Sequence, residues 1–261
     1  MKIGIMDSGI GGLTVLYEAR KLLPQEAYYY YADTDHVPYG EKTAEEIRSY
    51  ADTAVAFLCG LGCDCVVIAC NTATAVAAAY LRKKYDIPVI GIEPAVKPAV
   101  ERGEGKRILV IATPLTAAEK KLHDLILKVD EEGIVDVLAL PGLVHFAERG
   151  EFDSEAVRKY LMDNLGEDTA ETYGTLVFGC THFNHFRPVL RSLLGPQVNM
   201  IDGSEGTVRN MKRILEEKGL SSEKSPSIRY YVSGRELTDE TKLAFYRDVL
   251  KHLSLCRETD V

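Results

Sequence analysis

Apolar runs alternate with amphipathic stretches along all 261 residues. This predicts an α/β fold of two similar lobes, each a central, mostly parallel sheet flanked by helices, with the active site in the cleft between them. The apolar runs are short, continuous and β-branched, the pattern of strands buried on both faces. There is also a faint internal repeat. Val66-Val-Ile-Ala-Cys70-Asn-Thr resembles Leu176-Val-Phe-Gly-Cys180-Thr-His, and Ile3-Gly-Ile-Met-Asp7-Ser resembles Ile108-Leu-Val-Ile-Ala-Thr113. Asp7 and Thr113 precede their cysteines by almost the same stretch of chain, as two related lobes would require.

In chain order, strands are expected at Lys2–Met6, Tyr28–Ala32, Cys65–Ala69, Val89–Ile92, Arg107–Ile111, Ile134–Ala139, Thr175–Phe178, Val198–Ile201 and Ile228–Val232. Helical periodicity covers Leu13–Leu22, Ala117–Lys128, Ser154–Leu165, Phe186–Leu194, Glu205–Lys218 and Thr238–Leu250. Thr43-Ala-Glu-Glu46 reads as a capping box opening a helix that runs to about Leu61. Asn71-Thr72 is expected to cap an alanine-rich helix ending near Lys84. Glu93–Gly105, rich in Pro and Gly, reads as a crossing between lobes, and Ser221–Ser227 as an exposed loop. The tail is expected to return to the first lobe, so that residues 1–95 with 205–261 form one lobe and 96–204 the other.

Composition narrows the function. Some 46% of residues are apolar and 27% charged, ordinary for a soluble globular chain, and no run is long and apolar enough to predict a transmembrane helix. A net charge of -8 with no basic face argues against nucleic-acid binding. No export signal is recognisable, so the six cysteines are expected as reduced thiols in the cytoplasm. Cys59, Cys63 and Cys65 lack C-x-x-C spacing and are most simply small core or loop residues.

Strand ends of parallel sheets line the ligand crevice. Four of them carry reactive or donor groups: Asp7-Ser8, Cys70-Asn71-Thr72, Thr113 to Thr116, and Cys180-Thr181-His182. A cysteine between strand and helix meets unpaired N–H groups that favour its thiolate. Two such cysteines in matching contexts suit inversion at carbon, in which one group removes a proton from one face and the other delivers a proton to the opposite face. Asp7 and His182 can orient or activate the thiols, although Asp7 can equally cap its own turn. Ser8, Asn71, Thr72, Thr113, Thr116 and Thr181 are neutral donors suited to a small substrate with carboxylate and ammonium groups; each alone could be a helix cap.

Two rival sites are visible. Gly9-Ile-Gly11-Gly12 follows the first strand, with Asp33 or Asp35 roughly twenty residues on, in the manner of a dinucleotide fingerprint. Thr14 stands at the third glycine, and Asp7 would set a carboxylate beside the pyrophosphate, where a donor is wanted. Cys180-x-His182-x-x-His185 offers metal-ligand types without a fourth partner, so no metal is expected.

With these residues in view, the sequence resembles the glutamate racemases from the first strand to at least Gly206. The resemblance is carried by Met6-Asp-Ser-Gly-Ile-Gly-Gly-Leu-Thr14, Asp33 through Pro38-Tyr39-Gly40, Ala69-Cys-Asn-Thr-Ala73 and Gly179-Cys-Thr-His182. It implies a cytoplasmic, homodimeric enzyme that interconverts L- and D-glutamate without a cofactor and supplies D-glutamate for peptidoglycan. Aspartate racemase, or another member of the wider superfamily, is the alternative; an inactive binding protein using the same cleft would not explain two thiols. The resemblance further implies Cys70 and Cys180 as the acid/base pair assisted by Asp7 and His182. It puts Ser8, Pro38, Tyr39, Gly40, Asn71, Thr72, Thr113, Thr116 and Thr181, with the four catalytic residues, on substrate-contacting positions. The sequence departs from the family pattern twice. The second cysteine motif usually continues with an aromatic, a proline and leucines, where this chain has Phe183-Asn184-His185-Phe186. Family members often carry an assisting glutamate in a Pro-Leu-Val-Glu stretch; here Gly142-Leu-Val-His145 puts histidine there, with Glu148 one turn on.

Overall fold

The computed structural model describes residues 1–103, 105–220 and 226–258. The first sheet contains β1 (Lys2–Asp7), β2 (Ala27–Ala32), β3 (Cys65–Ile68), β4 (Val89–Gly91), β9 (Ser227–Val232) and β10 (Arg235–Glu236), in the order β10-β9-β2-β1-β3-β4. The second contains β5 (Arg107–Ala112), β6 (Val135–Ala139), β7 (Tyr173–Phe178) and β8 (Asn199–Asp202), in the order β6-β5-β7-β8. All pairings are parallel except β9 with β10. The order β2-β1-β3-β4 is thus repeated as β6-β5-β7-β8. The strands that share sequence similarity, β1 with β5 and β3 with β7, hold equivalent places.

The helices are α1 (Leu13–Leu22), α2 (Ala44–Gly60), α3 (Asn71–Lys84), α4 (Val96–Arg102), α5 (Pro114–Ala118), α6 (Lys120–Val129), α7 (Gly142–Glu148), α8 (Glu155–Leu165), α9 (Thr169–Thr172), α10 (Arg187–Leu194), α11 (Ser204–Glu217) and α12 (Glu240–Glu258). Short 3₁₀ segments cover Tyr39–Glu41 and Thr181–Phe186.

Side chains alternate across the strands, as their two-residue period requires. In β1, Ile3 and Ile5 enter a core shared with the second sheet, while Met6 packs on the other face with α2 and α3 residues such as Leu58 and Ala77. In β5, Leu109 and Ile111 enter the shared core, while Ile108 and Val110 pack with α4 and α6 residues including Ala99 and Leu122. Cys65 and Cys63 are buried and Cys59 half-buried, as small hydrophobes. The tail rejoins the first sheet through β9, parallel to β2.

Several boundaries differ from expectation for identifiable reasons. The Thr43 capping box forms as expected, Thr43 accepting from the Glu46 N–H. Asn71 is helical, not a cap; Cys70 is the N-cap of α3, its Sγ accepting from Ala73 N at 3.4 Å. Glu93–Gly105 is not all connection, since α4 occupies Val96–Arg102. Pro98 falls in the first turn, where a missing N–H breaks no helical bond. The helix expected at Ala117–Lys128 is two helices, α5 and α6, separated at an extended Glu119, and α5 starts earlier because Thr113 caps it ahead of Pro114. β10 closes a hairpin at Ser233-Gly234, whose φ angles of 44° and 81° fit a two-residue turn that the alternation pattern does not reveal. Of the exposed loop expected at Ser221–Ser227, residues 221–225 lie outside the described residues, and Ser227 opens β9.

Candidate active site

The C-terminal ends of β1, β3, β5 and β7 deliver Asp7, Cys70, Thr113 and Cys180 to one region between the sheets. Both cysteines are buried and free, 6% and 7% exposed, so neither is an ordinary surface thiol nor tied up in a disulfide. They are near enough for the charge of Cys180 to oppose ionisation of Cys70.

On the first-lobe side, Cys70 caps α3 and accepts hydrogen bonds from the Ala73 N–H and the Ser8 hydroxyl. Burial and then the Asp7 charge push its thiol well above the usual range, against those two donors, so Cys70 rests as the protonated thiol. Asp7 is fully buried. Its Oδ2 accepts from Gly12 N at 2.8 Å and Gly9 N at 3.3 Å, so it does cap its own turn, but Oδ1 has no protein partner. Burial raises the Asp7 carboxyl above the ordinary range, opposed chiefly by the charge of His182. Tyr30 holds the same turn from below, its hydroxyl donating to Gly9 O at 2.6 Å.

On the second-lobe side the expected α-helical cap is absent. Cys180 precedes a 3₁₀ segment, and its sulfur takes no backbone cap. It meets the Nδ1 of His182 at 3.8 Å instead. The other ring nitrogen of His182 lies 2.6 Å from Glu148 Oε1, which also accepts from Ile10 N of the first lobe at 2.8 Å. Burial alone would lower the His182 pKa. Hydrogen bonds to Cys180 and Glu148 outweigh it and hold the imidazole well above its usual value, so it carries both protons and can donate to both partners at once.

The lobes touch directly over these residues. Thr72 Oγ1 lies 3.1 Å from Thr113 Oγ1 and 3.0 Å from Thr116 Oγ1, and Thr113 and Thr116 are 3.0 Å apart, a triangle of hydroxyls across the cleft. A Cβ on Gly40 would stand 2.7 Å from Thr113 Cβ, one on Gly9 would collide with the Glu148 carboxylate, and one on Gly11 would come within 2.4 Å of His182 Nδ1. Close approach therefore accounts for the glycines of the turn, Gly9 and Gly11 against the opposite lobe and Gly12 against Asp7, Tyr30 and Ala69 of its own, without a bound pyrophosphate. Asp33, the fingerprint acid of the dinucleotide reading, is occupied as well. It accepts from the Tyr39 hydroxyl at 2.6 Å and from Ser233 Oγ at 3.1 Å, and its carboxylate lies 2.9 Å from His36 Nδ1. Burial, then the Asp33 charge and hydrogen bond, hold the Tyr39 phenol far above its usual range, so Tyr39 is a fixed neutral wall that presents the Pro38-Tyr39-Gly40 turn, preceded by a cis Val37–Pro38 bond. Thr181 and Asn71 are also buried here, and Asn71 Oδ1 has no protein partner.

His185 does not join the site. Its ring is buried and stacked on Phe152, which stacks on His252 of α12. Among the described residues no group of three or more His, Cys, Asp or Glu side chains could hold a metal ion.

Residues 14–211 match the family described as Asp/Glu/Hydantoin racemase. The chain belongs to that family. Among its relatives it is similar to the glutamate racemase of Halothermothrix orenii, 49% identical over 255 residues, covering 97% of this chain and 100% of that one. It is also similar to glutamate racemase 2 of Bacillus subtilis, 45% identical over 263 residues and covering 100% and 99% of the two chains. In three dimensions it resembles the crystal structure of the glutamate racemase from Francisella tularensis in complex with D-glutamate, with a TM-score of 0.81, 27% identity, and coverage of 96% of this chain and 93% of that one.

The sequence aligns His145 with the family's assisting glutamate, sets Glu148 one turn on, and leaves open which takes that role. The geometry separates them. His145 lies on the rim, half-exposed, 2.7 Å from Glu41 Oε1 across the lobes, whereas Glu148 reaches inward to His182. His145→Ala should therefore cost only an exposed contact to Glu41, worth about 0.2–1 kcal/mol. We expect kcat to fall no more than about five-fold, checked by steady-state kinetics at low and high salt. A loss matching that of His182→Asn would show that His145 serves the chemistry.

Proposed function

We propose that this chain is a cofactor-independent glutamate racemase that interconverts L- and D-glutamate by two-base 1,1-proton transfer. The observation that carries the reading is the pair of buried free thiols at the ends of equivalent strands, each with its own separate supporting set. A thiolate at Cys180 takes the α-proton of L-glutamate. The electron pair left on the α-carbon spreads into the α-carboxylate, and the Cys70 thiol delivers its proton to the opposite face. The enzyme is left with a thiol at Cys180 and a thiolate at Cys70, poised for the D-isomer. The α-proton is a very weak acid, so closure that excludes water and preorganised donors around the carboxylate must lower the barrier. In this reading Ser8, Asn71, Thr72, Thr113, Thr116 and Thr181 supply neutral donors, the Pro38-Tyr39-Gly40 turn walls the substrate, and Asp7, whose Oδ1 has no protein partner, holds its ammonium. His182, backed by Glu148, steadies Cys180 through both of its forms.

In this reading residues 1–95 with 205–261 close against 96–204, and the enzyme acts as a cytoplasmic homodimer supplying D-glutamate to peptidoglycan synthesis. No helix among the described residues is long and apolar enough to cross a membrane. The test is racemisation of each glutamate enantiomer by protein dialysed against chelator, with no pyridoxal phosphate or nicotinamide added and with aspartate in parallel. Full activity on glutamate is expected. Loss on chelation that zinc restores would favour a metal at Cys180 and His182, and preference for aspartate would move the assignment to aspartate racemase.

A further inference from the structure

The largest fully buried side chain among the described residues is a charged one, Arg187. It opens α10 directly after the 3₁₀ segment that carries His182. A guanidinium taken out of water destabilises the fold unless its donors are met, and here each nitrogen is engaged. Nη2 donates to Asp202 Oδ2 at 2.7 Å, Nη1 to Met200 O at 2.9 Å, and Nε to Asn184 Oδ1 at 3.0 Å. The guanidinium also lies 4.6 Å from the ring centroid of Phe178, the last residue of β7. Asp202 is shared with Arg257 Nη1 at 2.6 Å, and Arg257 reaches Glu18 of α1 at 3.2 Å. Arg187 thus bridges the end of β7, which leads into the Cys180 turn, and the neighbouring β8, and through Asp202 it is linked to the C-terminal helix.

Asn184 carries this anchorage one step further. It is buried, accepts from Arg187, and donates from Nδ2 to Thr181 O at 3.3 Å. The same carbonyl accepts from Thr14 Oγ1 of the first lobe at 3.3 Å. Thr181 lies between Cys180 and His182 in the chain. The turn needs outside support: 3₁₀ hydrogen bonds are poorly aligned, and the Cys180 sulfur has no backbone cap, unlike that of Cys70. Asn184 is also one of the positions at which the sequence departs from the family's usual run after the second cysteine.

We infer that Asn184, held by Arg187, is a positioning residue for the Cys180 half of the reaction, fixing the Thr181 carbonyl and with it the spacing of Cys180 and His182. The inference rests on the racemase reading above. Arg187→Ala would leave buried partners unmet and endanger folding, so the test uses Asn184→Ala and Asn184→Asp. The aspartate variant keeps an acceptor for Arg187, now a charged one, and sets a carboxylate oxygen where Nδ2 donated to Thr181 O. Asn184→Asp should keep wild-type thermal stability to within a few degrees, whereas Asn184→Ala removes the acceptor of the Arg187 Nε donor and should melt lower. Both should lose about ten-fold in kcat and leave KM nearly unchanged. The decisive readout is face-specific. With glutamate deuterated at the α-carbon, the isotope effect on kcat/KM should rise from L-glutamate, whose proton Cys180 takes, and fall from D-glutamate. A residue that only stabilised the fold would not split the two directions. Wild-type rates in Asn184→Asp, or isotope effects that move together, would overturn the inference while the racemase reading stood. A wild-type protein that failed to racemise glutamate would overturn both.

Discussion

Cys70→Ala and Cys180→Ala should each fold, bind glutamate and fail to racemise it, with activity lower by roughly 10³-fold or more. Inversion requires removal of a proton on one face and delivery on the other, so a single remaining thiol completes half of the reaction. Each sulfur sits at a strand end, and its loss creates only a small cavity beside polar neighbours. The recognition donors Asn71 and Thr181 keep their places in either variant, and Ser8, which loses its contact to the Cys70 sulfur in Cys70→Ala, keeps its hydroxyl for the substrate. Circular dichroism and calorimetric titration with glutamate check folding and binding separately from turnover. In the wild type, heavy water should label the product enantiomer at the α-carbon well before the remaining substrate, because each face has its own group. Near-normal racemisation in either variant would refute the two-thiol assignment, and equal early labelling of substrate and product would point to one exchanging base.

The parts of this site that were legible in the sequence are those encoded locally. Short, continuous, β-branched apolar runs located the strands that deliver Asp7, Cys70, Thr113 and Cys180, because those strands are buried on both faces. The repeat anticipated that β1 and β5, and β3 and β7, would occupy equivalent places. What stayed hidden depends on chain segments far apart. Glu148 could be named beside His145 but not chosen over it, because its partners Ile10 and His182 lie in other elements. The glycine-rich turn looked like a phosphate loop because both uses demand the same absence of a side chain; only the opposing lobe distinguishes them. The cap of α3 was misplaced by one residue because cysteine is not an ordinary capping residue, yet its sulfur takes the Ala73 N–H. Arg187 could not be read as buried, since its counter-charge Asp202 arrives from the end of another strand.

Glu148→Gln should lower kcat about 100-fold and draw the alkaline limb of the pH profile toward neutrality. Glutamine keeps the shape of the side chain and an acceptor for Ile10 N, but it removes the negative charge facing His182 Nε2. A hydrogen bond to a charged partner is worth about 1.5–3 kcal/mol, which sets the size of the expected loss. The direction follows from what holds the proton on His182. Burial works against the imidazolium, and the hydrogen bonds and charges of Cys180 and Glu148 overcome it. Activity that needs protonated His182 is present below its raised folded value and disappears as pH climbs through it. Weakening one support brings that disappearance to lower pH. Stability obeys the same sign. The contribution of His182 is complete below the ordinary histidine value of about 6.5 and is lost as pH rises through the folded one. The Tm deficit of Glu148→Gln should accordingly narrow in alkaline buffer. His182→Asn should lose at least as much kcat, since it removes the contact to Cys180 as well, and its profile should lack the limb altogether. An unshifted limb in Glu148→Gln would mean that the carboxylate only anchors Ile10, and that some other group holds the His182 proton in place.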